Sequence, residues 1–249
     1  MCFSPAEGEA RRRRFRYKEA MTTLSEAEIE ALLLSLRVSS VAVLAALPFA
    51  LAAALLMARR TFPGKILLDA VLHAPLVLPP VAVGYLLLVV FGTRAGLGGW
   101  LYETFGIRFV FSWTGAVLAS AILTFPFQMR AIRIALEAMD PGLGEAARTL
   151  GARRFDRFWN VTLPLVLPGL VAGAITAFAA SLGEFGAIIT FVSNIPGQTR
   201  TLPLAIYTAL QMPGGEAAAA RLATLSILLA LVFMALAELA QRRARAYYA

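Results

Sequence analysis

The sequence predicts an all-α integral membrane protein of about five transmembrane helices, and three observations predict it. Apolar residues come in uncharged blocks: 21 residues from Val38 to Ala58, 24 from Ala70 to Thr93, 21 from Phe109 to Met129 and 23 from Val161 to Gly183. A helix of about 20 residues crosses the hydrocarbon of a bilayer. Of the 249 residues 59% are hydrophobic and only 15% charged, too apolar for a soluble domain of this size. One polar, arginine-bearing stretch, Glu137 to Pro164, separates the third block from the fourth, so embedded helices are expected to hold a segment in water.

The chain opens on Met1 to Ala20, which carries Arg11, Arg12, Arg13, Arg14, Arg16 and Lys18 without an apolar core, and so is neither a signal peptide nor a span. Residues 1–23 are expected to form a basic, disordered tail and residues 24–249 a single transmembrane domain. Ser25, three residues before Glu28, fits a capping box that starts the first helix. The first span is expected over about 31–58, with Arg37 reaching the headgroups and Pro48 bending it.

After a tight connection at Pro63-Gly64, the second span, about 66–91, contains Pro75, Pro79 and Pro80. Prolines there predict a broken helix, because freed carbonyls are tolerated in a membrane only where they face protein or a water-filled path. Pro79 and Pro80 are therefore candidate path residues. Asp69 and His73, four apart, share a helical face, and an ionisable pair inside a span is a functional candidate. The position of Asp69 near the start of the span favours an interfacial placement instead.

Gly92 to Arg108 reads as a loop with a short amphipathic piece around Trp100 to Phe105, and the third span, about 110–133, ends at Arg130 and Arg133. The fourth, about 161–183, ends at Gly183-Glu184-Phe185-Gly186, where a carboxylate between glycines marks a break. These four residues are candidates for the gate or path lining. A helix end at the headgroups, with Glu184 solvated, is the alternative. A cysteine at Ala187 is expected to react with a small aqueous thiol reagent at a rate that changes when ATP is trapped if these residues line the gate, and at an indifferent rate if they end a helix at the headgroups. Phe185 to Val192 is too short to span and is expected to turn back partway. Asn194-Ile195-Pro196-Gly197 reads as a turn and Thr201 to Leu210 as a helix. The last span, about 220–241, finishes in Arg242, Arg243 and Arg245.

Several chemistries are excluded. The net charge of +8 sits around span ends rather than on a soluble fold, so nucleic acid is not an expected partner. Cys2 and His73 have no metal-ligand companions, no Gly-Lys-Ser/Thr follows a glycine run, and no nucleophile, base and orienting group can be assembled. No metal, no cofactor bound by this chain and no enzymatic site are expected. An internal repeat, common in secondary carriers, is not apparent.

The polar stretch, residues 137–160, predicts two short helices. Asp140 before Pro141 suits an N-cap and a first-turn proline, and Gly151 a helix stop, with the helix between them at roughly Leu143 to Leu150. On it the small Ala146 and Ala147 would let another surface approach, while Glu145 and Arg148, three apart, offer charge contacts. Phe155, Phe158 and Trp159 then form a stripe that suits a membrane interface. Glu-Ala-Ala alone would fit an ordinary interfacial helix equally well.

The whole spacing, Glu145-Ala146-Ala147, Gly151, Val161 and Leu163-Pro164, resembles the cytoplasmic signature loop of ABC importer permeases, with Val161 in place of the family's isoleucine. Phe62-Pro63-Gly64-Lys65, the run from Leu72 to Val81 with Val83-Gly84-Tyr85, and Gly183 to Ala187 through Asn194-Ile195-Pro196-Gly197 to Arg200-Thr201 resemble molybdate ABC importer permeases in particular. Sulfate permeases share the Gly-Glu-Phe-Gly element, so that element does not choose between oxyanions; the proline-rich second span and the turn favour molybdate.

The resemblance implies the type I ABC importer permease fold. It implies two copies of the chain framing a path and a cytoplasmic ATPase dimer, which holds ATP and Mg2+, docked on Glu145, Ala146, Ala147, Arg148, Gly151, Leu163 and Pro164. A periplasmic binding protein would deliver molybdate, or tungstate. The alternatives are a permease for sulfate or another oxyanion, or a stand-alone carrier in which Glu184, Asp69 and His73 are coupling groups.

With the coupling loop in the cytoplasm of a bacterial inner membrane, five spans put the N-terminus outside and the C-terminus inside. Twelve Lys and Arg residues then fall inside and five outside, as the positive-inside rule asks, but the tail adds six more outside. Translation is therefore expected to start at Met21.

Overall fold

The computed structural model describes residues 24–94 and 96–248. The expected basic tail and the start at Met21 lie outside the described residues. Helix α1, Glu26–Arg59, begins on the expected capping box: the Ser25 amide donates to Glu28 Oε2 at 2.7 Å and the Glu28 amide to Ser25 Oγ at 3.3 Å. At about 51 Å it is longer than the hydrocarbon is thick. Arg37 lies over the Trp113 ring, 3.9 Å from its centroid.

The second apolar block is two helices, α2 (Lys65–Val77) and α3 (Pro80–Phe91), meeting at 114°. The break that the prolines predict falls at Leu78-Pro79. At the break, the residues before Pro79 and Pro80 are driven out of the helical region: Leu78 takes φ −70°, ψ 141° and Pro79 φ −56°, ψ 130°. Pro75 sits inside α2 without breaking it. At about 18–20 Å each, neither half crosses the membrane alone.

A short α4 (Gly96–Phe105) leads to α5 (Trp113–Glu137), capped by Ser112 Oγ, which accepts from the Gly115 amide. The polar segment forms α6 (Pro141–Thr149) and α7 (Arg154–Arg157). A π turn, Phe158–Thr162, joins α7 to α8 (Leu163–Leu182). Then follow α9 (Gly186–Val192), α10 (Leu202–Gln211) and α11 (Glu216–Tyr248). Among the described residues four helical stretches are long and apolar enough to cross a membrane, and the bent α2–α3 pair makes a fifth if counted as one span. No strand occurs among them.

Helix α5 is the centre of the bundle, with α1 on one side and α8 on another, and α11 packs on α8. Small residues allow this. Ser39, Ala42, Ala46, Ala50 and Ala54 form the buried stripe of α1, and a Cβ added to Gly169 would stand 2.5 Å from Ala135 Cβ. Close backbone approach of this kind is how helices associate in lipid, where burial alone gives no driving force. Met57, Met129, Ile132 and Val166 fill the core near the polar segment, and Leu87, Ala119, Ile188 and Phe191 fill it toward the other end. Outward, Ile66 and Val77 are 87% and 85% exposed, and Ile227, Leu231 and Val232 of α11 are exposed as well, a surface suited to lipid or to another apolar protein face.

Helix α9 does not turn back. A Cβ on Gly186 would meet Pro80, one on Gly84 would meet Ala187 and Thr190, and one on Gly115, at the start of α5, would meet Val192. Phe91, at the end of α3, packs edge-to-face with Phe109 beside the same start. Helices α3 and α9 therefore run side by side in one direction, away from the polar segment, and the chain reverses only after Val192, where Ser193 adopts φ 65°.

Candidate functional site

The polar segment is held in shape by local chemistry. Asp140 Oδ1 accepts from the Gly142 amide at 2.8 Å, and Pro141 occupies the first turn of α6, where a missing amide costs nothing. At the other end Gly151 takes φ +82°. Its amide donates to the Arg148 carbonyl, and that of Ala152 to the Ala147 carbonyl, both at 3.0 Å, the paired closure that a left-handed glycine allows. Helix α6 presents Glu145, Ala146 and Arg148 to solvent, while Ala147 is half-buried. Glu145 and Arg148 share a face but form no ion pair with each other.

Two arginines fix this segment to the bundle, and neither role was apparent from the sequence. Arg157 Nη1 donates to the Gly144 carbonyl at 3.3 Å, holding α6 against the turn that follows it. Arg59, at the end of α1, donates from Nη2 to Thr162 Oγ1 at 2.8 Å, inside the π turn. In a regular helix the ring of Pro164 would clash with the Asn160 carbonyl; the wider turn, closed by the Leu163 amide on the Phe158 carbonyl, relieves it. Leu163 is half-buried and Pro164 exposed at the start of α8. Phe155 and Trp159 are exposed and packed together, with ring centroids 5.9 Å apart.

Behind the segment lies a cavity of about 620 Å³ between the ends of α1 and α5 and the α6–α7 pair. Arg59, Arg60, Arg154 and Arg157 line it, with Glu137 and Asp140.

The proline and glycine breaks come together. Pro79 and Pro80, exposed, open α3, and the first turn of α9 packs on Pro80 and Val81 through Gly186. Glu184 is half-buried and its Oε1 accepts from the Ala187 amide at 2.8 Å, so the carboxylate caps α9. Phe185 stacks on Tyr207 at 5.2 Å. Ala187 is fully buried against Gly84, whereas Gly183 is exposed.

Asp69 has a partner that sequence spacing did not suggest. Arg133 donates from Nη1 to Asp69 Oδ1 at 2.9 Å and from Nε to Glu137 Oε1 at 2.8 Å, so α2 is tied to the last turns of α5. His73 Nδ1 lies 2.8 Å from the Asp69 carbonyl oxygen and 3.5 Å from its carboxylate. No cluster of three metal-ligating side chains occurs among the described residues.

The family described as binding-protein-dependent transport system inner membrane component matches residues 46–246. The molybdenum transport system permease protein ModB of Escherichia coli strain K12 is 60% identical over 222 residues, which cover 89% of this chain and 97% of that one. The sulfate transport system permease protein CysT of the same strain is 39% identical over 184 residues, 73% of this chain and 66% of that one. The crystal structure of a bacterial alginate ABC transporter in complex with alginate pentasaccharide-bound periplasmic protein superposes with a TM-score of 0.69 at 21% identity, over 88% of this chain and 80% of that one, a likeness of fold.

Proposed function

This chain belongs to the family of binding-protein-dependent transport system inner membrane components, and on that premise we propose that it is the membrane-spanning permease of an ATP-driven molybdate importer. The observation that carries the reading is helix α6, a short helix between two membrane-crossing helices with Glu145, Ala146 and Arg148 turned to solvent. Such a surface is made to be touched by another protein. The relative that transports molybdenum matches more of the chain and at higher identity than the sulfate relative, so sulfate is not favoured.

In this reading the chain is a permease subunit that works with an ATPase and a binding protein; ATP and Mg2+ stay with the ATPase. Two copies of the chain frame the path, and a periplasmic protein delivers the tetrahedral oxyanion. The coupling segment faces the cytoplasm, with the N-terminus outside and the C-terminus inside. Closure of the ATPase dimer moves α6. Arg157 and the π turn carry that movement to α8, while Arg133 carries it from the end of α5 to Asp69 and α2. Helices α2 and α8 run into the two breaks, at Pro79-Pro80 and at Gly183 to Gly186, so both arms of the joint shift when the coupling segment does.

Proteoliposomes holding the permease, its ATPase and the binding protein test the proposal. Uptake should require ATP and both partners, and unlabelled tungstate should compete with molybdate far better than sulfate does. Uptake by the permease alone would support a carrier. Equal competition by sulfate would overturn the substrate assignment.

A further inference from the structure

We infer that the cavity between the end of α1 and the coupling segment is a binding site for a tetrahedral oxyanion or phosphate group. Four arginines, Arg59, Arg60, Arg154 and Arg157, face two carboxylates there, and both carboxylates are already engaged. Glu137 holds Arg133, and Asp140 caps the Gly142 amide. None of the four arginines has an ion-pair partner among the described residues. Arg59 and Arg157 each give one nitrogen to a neutral oxygen, of Thr162 and Gly144, and Arg60 and Arg154 give none. Arg157 Nε is buried without any hydrogen-bond partner.

Arg59, Arg60 and Arg154 are exposed and Arg157 is half-buried, so water screens part of their mutual repulsion; an anion among them would relieve the rest and give the buried Arg157 Nε a partner. Guanidinium forks match the oxygens of a tetrahedral anion in pairs. At about 620 Å³ the cavity has room for such a group and its water. An occupant would bridge the end of α1 to the turn that follows α6. It would thereby restrain the polar segment against the bundle.

This assignment rests on the cytoplasmic orientation proposed above only for the source of the anion, not for the site. Two sources share the chemistry: an oxyanion free in the cytoplasm, and the phosphate of an anionic lipid whose tails lie near exposed Phe155 and Trp159. The intact permease–ATPase complex, purified in neutral detergent without nucleotide, is titrated calorimetrically with sodium molybdate and with inorganic phosphate. Native mass spectrometry of the same complex, after incubation with phosphatidylglycerol, reads retained lipid.

The double variant Arg60→Gln/Arg154→Gln removes two guanidinium groups that support no internal contact, so its elution and melting should match the parent. Its affinity for the occupant should fall at least about tenfold, the loss of one or two charge-assisted hydrogen bonds. Arg157→Lys, which keeps the charge and loses the fork, should weaken the same binding. Saturable anion binding that the variants weaken identifies a free oxyanion, and lipid retention that they abolish identifies a headgroup; both support the site. Absence of binding for all three probes, or binding that neither variant alters, overturns it. Transport is not measured, so this test can fail while the proposed function stands.

Discussion

Gly186 rests directly on Pro80: a Cβ at Gly186 would stand 2.9 Å from the proline Cβ and 3.3 Å from the Val81 amide nitrogen. Two breaks far apart in the chain are thus one joint. Beside it, a Cβ at Gly84 would lie 2.7 Å from the Ala187 carbonyl oxygen, so the α3 and α9 backbones touch.

Gly84→Ala should therefore destabilise the protein by about 1–3 kcal/mol, the usual range for overpacking against backbone that has no room to move. Gly144→Ala, where nothing lies within 4 Å, is the matched control and should be neutral or slightly stabilising. Melting curves of both variants in detergent provide the comparison, and equal midpoints would count against the close contact.

Glu184 caps α9 through Oε1, a role that an amide oxygen can also fill. Glu184→Gln should keep near-parental stability and uptake, whereas Glu184→Ala should lose about 0.5–1.5 kcal/mol, the net worth of the hydrogen bond from the Ala187 amide. If the negative charge itself served transport, the glutamine variant would lose uptake as fully as the alanine variant.

Space around Gly151 is open, so its requirement is conformational, set by φ +82°. Gly151→Asn, which tolerates left-handed backbone, should retain most coupled uptake, while Gly151→Leu should insert and dimerise yet hydrolyse ATP without transport. The ratio of uptake to ATP hydrolysis in proteoliposomes distinguishes them. Normal coupling in the leucine variant would remove Gly151 from the docking role.

Asp69 and Arg133 are each about one-third exposed or less, at 36% and 26%, so their pairing contributes modestly. Asp69→Asn should cost roughly 0.5–1 kcal/mol. Arg133→Ala should cost more, since it strands both Asp69 and Glu137. Thermal melts of the two single variants and the double variant measure the coupling; additive losses would mean that the contact contributes nothing.

What the sequence revealed is mostly what lies within four residues. Ser25 with Glu28, Asp140 with Pro141, and Gly151 encode their caps locally, and the uncharged blocks encode the long helices by length alone. Prolines signalled a break in the second block, but the 114° angle depends on what packs against it. Ala187 shows the limit: a small residue after Gly186 reads equally well as an open path or as a tight contact, and the neighbour that decides is Gly84, on another helix. Arg133 is similar. Near the end of a span it reads as a headgroup anchor, and only the packing of α2 on α5 gives it Asp69.

The π turn at Phe158–Thr162 contains one residue more than an α-helical turn needs, and a surplus of one residue is a rotation of about 100°. It sets the compass bearing at which the polar segment leaves the bundle. Deleting Asn160 would remove that surplus, returning the Pro164 ring to the carbonyl four residues before it, and everything before the deletion would swing by that angle. Arg157 would leave the Gly144 carbonyl, and Phe155 would leave the side of the bundle it now occupies. A coupling loop grafted between permeases would thus need its residue count matched at this turn as well as its surface, since a faultless docking face on the wrong bearing would meet nothing.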